Sequence, residues 1–110
     1  MANIFKNSIS GSIGTSNVIV YAVPAATSTT VIGMSVANVI TSNINVSVTL
    51  TSNSQAKTVY LVKNANVPAN GSLVIAGGEQ KVVMSALDSL TVVSSTDTSA
   101  DVVVSVLEIS

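Results

Sequence analysis

The heptapeptide Ile44-Asn45-Val46-Ser47-Val48-Thr49-Leu50 puts an aliphatic residue at every second position and a small polar one between each pair. Side chains along an extended backbone point alternately to opposite faces, so this pattern makes a strand with one dry face and one wet face. A helix would scatter the same four aliphatic residues around its circumference. Working outward, Thr30–Ala37 repeats the arrangement, with Ile32, Met34 and Val36 opposed to Gly33, Ser35 and Ala37. Before it, Val18–Val23 is a short apolar run stopped by Pro24, which has no N–H to give to a ladder.

After it come Thr58–Lys63, with Tyr60 and Leu61, and the stretch Pro68-Ala69-Asn70-Gly71, whose Asn-Gly pair favours a tight reversal. Leu73–Ala76 leads into Gly77-Gly78, read as a second reversal, and Lys81–Met84 and Leu90–Ser94 follow. Val102–Ile109 closes the chain, with Val102, Val104 and Val106 on one flank and Val103, Leu107 and Ile109 on the other. A strand apolar on both flanks is buried on both. Its second flank therefore lies either under loops or the N-terminal segment, or in a subunit interface. About eight strands spaced ~11–12 residues apart indicate an all-β fold, a single antiparallel β-sandwich of jelly-roll or Ig-like type.

Residues 1–17 lack such periodicity. Ile4, Phe5, Ile9 and Ile13 are isolated apolar points among Ser, Asn and Gly. They read as an extended N-terminal arm ahead of a sandwich domain at 18–110, ordered against its own domain or a neighbouring subunit; an edge strand is the other reading. Where the arm lies on a neighbour it is a tether with Ile4 and Phe5 as anchors in the neighbour's groove, and deletion of residues 1–12 is expected to leave the fold intact and abolish that binding.

Composition excludes more than it assigns. The 110 residues include twenty valines and nine isoleucines but no His, Cys or Trp, and all four basic residues are lysines. Their length suits one domain. The commonest general base, thiol nucleophile and transition-metal ligands are missing, and a net charge of -1 gives no field for nucleic acid. The chain is expected not to be an enzyme and to take no cofactor. No apolar run approaches the length of a membrane helix, and the N-terminus lacks the apolar core of a signal peptide.

Specific motifs are sparse. Asp97 and Asp101 in one Ser/Thr-rich turn offer oxygens to Ca²⁺ or form a solvated turn; their spacing matches no calcium loop, and no metal site is expected. Glu79 and Lys81 read as a solvated or cross-subunit ion pair. The serines have no histidine to activate them, and the glycines lack a phosphate-loop context. A sugar platform would need exposed aromatic faces, of which Phe5, Tyr21 and Tyr60 are the only sources, with one or two of them expected in the core.

Nine formal charges guard some eight strands. With so little repulsion between sheet faces and edges, permanent assembly is the expected way of covering them. Ile4, Phe5, Val102, Val104 and Val106 are the candidate interaction residues.

The ordered pieces Val20-Tyr21-Ala22-Val23-Pro24-Ala25, Val31–Asn38, Tyr60–Ala65 with Val67-Pro68, Gly77–Val83 and Ser105–Ile109 resemble small virion structural proteins of tailed bacteriophages. The resemblance covers residues 18–110 and carries turn and strand patterns without catalytic content. It implies an all-β protein that decorates and cements a capsid, or a neck, tail or fibre component. Implied with it are the major capsid protein or other virion proteins as partners, a homo-oligomer with a trimer favoured, no nucleic acid or membrane partner, and a place in the virion assembled in the host cytoplasm. A glycan-binding adhesion module is the rival from another class.

Overall fold

A computed structural model describes residues 3–76 and 81–110. The Gly77-Gly78 reversal and Glu79 of the expected ion pair fall outside the described residues. Among the described residues nine strands follow in order: β1 (Asn3–Ile13), β2 (Val18–Ala22), β3 (Ser28–Asn38), β4 (Ile44–Ser52), β5 (Lys57–Val67), β6 (Ser72–Ala76), β7 (Val82–Met84), β8 (Ser89–Ser94) and β9 (Ala100–Ile109). Each of the eight runs read from the sequence is a strand. The ninth is β1.

Pairing is nested about the β4–β5 hairpin: β4 with β5, β3 with β6 and β7, β2 with β8, and β1 with β9, all antiparallel. The chain is in effect one long folded ribbon, rolled so that β9 also pairs with β3 and β8 with β4. Two sheets result, β1-β9-β3-β6 with β7 also on β3, and β2-β8-β4-β5. This strand order makes the sandwich a jelly roll.

The core forms where the dry flanks of the two sheets meet. Ile44, Val46 and Val48 of β4 face inward with Leu90 and Val92 of β8, against Val31, Met34 and Val36 of β3 and Val102, Val104 and Val106 of β9. On β3 the expected alternation is displaced by one residue at Ile32, because a bulge between Val31 and Gly33 gives the inward position to Val31. Two buried polar groups tie loops to this core. The Asn38 amide donates to the carbonyls of Ser42, Val67 and Pro68 while its Oδ1 accepts from Ile40 N–H. Asp88 accepts from Asn53 N–H at 2.9 Å and Ser85 N–H at 3.0 Å.

The N-terminal segment takes the second of its two readings, an edge strand of its own domain. Asn3–Ser10 pairs residue for residue with Ile109–Val102, and after a bulge Ile13, 1% exposed, pairs with Ala100. Backbone hydrogen bonding along β9 outweighs the weak apolar periodicity, since β9 would otherwise present a bare edge. Deleting residues 1–12 would uncover that edge, so it no longer describes removal of a tether that leaves the fold untouched.

Candidate functional site

The five candidate interaction residues separate into two groups. Val102, Val104 and Val106 are fully buried between the sheets. They are core, and their assignment as interaction residues is corrected: a flank with zero exposure has nothing left to offer a partner. Ile4 and Phe5 are exposed, 49% and 74%, but they stand on opposite faces of one strand. Ile4 is opposite the inward Glu108, and Phe5 is opposite Leu107 on the outward face.

That outward face of the five-stranded sheet gathers several of the exposed large hydrophobic residues, and register shows how they are arranged. Phe5, Leu107, Thr30 and Val83 stand side by side across β1, β9, β3 and β7. A second row, Ile9, Val103, Ser35 and Val74, crosses β1, β9, β3 and β6. Between them run Asn7, Ser105 and Gly33. Phe5, Ile9, Val74 and Val83 are each about 70% exposed and Val103 is 41% exposed, and no residue of the three rows is ionised. Single exposed aliphatic residues are ordinary, whereas aligned rows of them mark interaction surfaces. In the sequence both flanks of β9 are apolar, and neither the outward placement of Val103 and Leu107 nor the continuation of their rows into β1, β6 and β7 is legible there. For β1 the signal was the spacing Phe5-Asn7-Ile9 against Lys6-Ser8-Ser10, which is period two with only two apolar members.

Where β1 and β2 close one side of the sandwich there is a cleft of about 380 Å³. Inside it the buried Glu108 carboxylate accepts from Tyr21 Oη–H at 2.6 Å, with Lys6 Nζ at 3.5 Å. Tyr21 Oη is also 2.8 Å from Thr29 Oγ1, and Ser8 Oγ–H donates to Val20 C=O at 2.6 Å. Burial, then donation to the Glu108 carboxylate, pushes the Tyr21 hydroxyl from 10 up to about 12; the Thr29 hydroxyl acts the other way, and the Glu108 charge adds to the rise. The cluster staples sheet to sheet and holds a single carboxylate.

Because the folded state retains the Tyr21 proton more tightly than the unfolded state does, the stabilisation is fully present below pH 10 and is lost as pH rises towards 12. Thermal melts between pH 8 and 12 should show a steep alkaline decline. Tyr21→Phe should start lower, by about 1–3 kcal/mol for the carboxylate left without its donor, and decline less steeply. Parallel alkaline limbs would contradict this role for Tyr21.

Among the described residues the remaining carboxylates do not converge. Asp97 Oδ1 accepts from Thr15 Oγ1–H at 3.0 Å, and Asp101 Oδ1 accepts from Ser12 N–H at 3.1 Å, so one fastens the turn after β1 and the other the bulge within β1. Among the described residues no three His, Cys, Asp or Glu side chains are grouped to hold a metal ion. No helix of the described residues is long and apolar enough to cross a membrane. Of the three aromatic residues, Tyr21 is in the core, while Phe5 and Tyr60 are exposed.

No family model matches the chain, and no curated protein is significantly similar to it. Solved structures do resemble it. A chain of the T13 IBDV viral particle superposes with a TM-score of 0.58 over 96% of this chain and 30% of that one, at 12% identity. A chain of infectious bursal disease virus strain Gx gives 0.55 over 96% and 32%, also at 12% identity. A chain of the Bacillus endospore appendages, described as a family of disulfide-linked pili, gives 0.54 over 98% of this chain and 88% of that one, at 12% identity. This chain thus spans about a third of each viral chain and nearly all of the pilus chain. At such identity the likeness is one of fold.

Proposed function

We propose that the protein is a structural component of a virion, with no catalytic activity, that decorates and stabilises a bacteriophage capsid by docking the outer face of its five-stranded sheet on the shell. The observation that carries the reading is the pair of apolar rows through Phe5 and Ile9, free of ionised side chains. The likeness to chains of viral particles supports it at the level of fold, as does the resemblance of residues 18–110 to phage virion proteins.

Magnitude argues for an oligomer. Four strand positions ~4.8 Å apart and ~10 residues long give a face on the order of 600 Å², somewhat below the roughly 800 Å² per partner of a standard stable interface. Several copies bound together offset that shortfall through avidity, and a trimer on a threefold position of the shell meets the requirement. The major capsid protein is the partner this reading names.

A second reading, a neck, tail or fibre component, draws on the near full-length match to a pilus chain. With no cysteine, any fibre of this chain would be held without disulfides. Copy number per particle distinguishes the two: hundreds on a shell, a few tens or fewer at a neck or tail. Light scattering after size exclusion should find a stable oligomer that co-sediments with capsids. A monomer at micromolar concentration that stays in the supernatant would overturn the proposal.

A further inference from the structure

The opposite face of the molecule, the outer surface of the β2-β8-β4-β5 sheet, has different chemistry. It carries a groove of about 480 Å³ whose lining is mostly Ser, Thr and Asn. One aromatic ring, Tyr60, stands in it at 55% exposure. Lys63 supplies the one charge among the lining residues, and no carboxylate lines the groove.

The groove is shaped by two irregularities in β5. Val46 pairs with Ala65 and Val48 with Val62, so Lys63 and Asn64 together oppose Ser47; Thr49 then pairs with Tyr60, leaving Leu61 as a further inserted residue. In a regular strand residues 60 and 63 would face opposite sides. The insertion at Leu61 brings both to the outside, where Lys63 Nζ stands 5.2 Å from the Tyr60 ring centroid. Asn64 takes φ 51° in mid-strand, a conformation Asn tolerates better than most residues. Ser47 Oγ fixes it by accepting from its backbone N–H at 2.9 Å, with Asn64 Oδ1 3.4 Å away. Strain of this kind persists where the surroundings impose it, often at ligand sites.

We infer that this groove is a binding site for an acidic saccharide. A sugar ring presents a C–H face to an aromatic ring and a rim of hydroxyls to amides and hydroxyl groups, which are the groups assembled around Tyr60. A nucleic acid would need several cations, and this groove has one. That one cation, unopposed by any lining carboxylate, favours a sugar bearing a carboxylate, with Tyr60 as the stacking platform and Lys63 as its charge partner. The site lies on the face away from the proposed docking surface and does not depend on it.

The test is NMR titration of the full chain with trigalacturonate and, separately, with its methyl ester, which removes the charge and keeps the sugar. Shifts confined to the groove are expected, with the acid bound more tightly than the ester. Tyr60→Ala should weaken both by about 10-fold or more, with the remaining spectrum unchanged because the ring is exposed. Lys63→Gln should bring acid and ester to equal affinity. Absence of groove shifts with either sugar, equal binding of acid and ester to the unaltered protein, or binding indifferent to Tyr60→Ala would overturn the inference.

Discussion

Val104→Asp is expected to abolish folding. Val104 has no exposed surface and lies on β9 between β1 and β3, facing the opposite sheet. A carboxylate there loses its hydration and finds no cation, since the charged groups nearest along the inward flank, Glu108 and Lys6, already pair with each other. Breaking a buried pair or stranding a charge costs roughly 3–5 kcal/mol, and the lost packing of the valine adds to this. Against a total stability of about 5–15 kcal/mol for a domain, the variant should be mostly unfolded by far-UV circular dichroism at 25 °C. A cooperative melt near that of the unaltered protein would show that the inward flank of β9 is not the core.

One residue earlier the outcome reverses. Val103→Asp alters the outward flank at a position 41% exposed in the isolated chain, between Ile9 and Ser35. Folding should change by less than about 1 kcal/mol, the range of strand propensities at exposed positions. Attachment to capsids should fall at least about 100-fold, because an uncompensated charge in a desolvated contact costs roughly 3 kcal/mol or more. The check is co-sedimentation with shells over a concentration series, alongside a melt of the free protein. Undiminished attachment with an intact fold would remove this face from the interaction.

The contrast between neighbouring valines also marks how far the sequence could be read. Alternation in Ile44–Leu50 and turn chemistry at Pro24 and Asn70-Gly71 sufficed for the sandwich, because period two and φ constraints are local properties. In Val102–Ile109 both flanks are apolar, so alternation alone could not say which valines faced the opposite sheet. That choice belongs to register with β3 and β1, which is not local. The N-terminal segment was hard to read for a related reason: its pairing with β9 joins residues nearly a hundred positions apart and relies on backbone groups that every residue carries.

The same limit explains the two polar clusters. Nothing in the spacing of Tyr21, Thr29 and Glu108 announces that they meet, and no periodicity signals bulges that turn Tyr60 and Lys63 to one side. The displaced register at Ile32 belongs with them: bulges are single-residue events that pattern reading averages away. What was legible about function was mainly negative, the missing catalytic and metal-binding side chains. Its positive part, an interaction flank on β9, was placed on Val102, Val104 and Val106, which the structure puts in the core.

The proposed docking requires the outer face of the β1-β9-β3-β6 sheet to be covered in a virion, and a cryo-EM map of a particle carrying this protein is the decisive check. Phe5, Ile9 and Val103 are expected in contact with shell or sister subunits, with the Tyr60 groove turned outward; density with those three side chains facing solvent would rule the docking out.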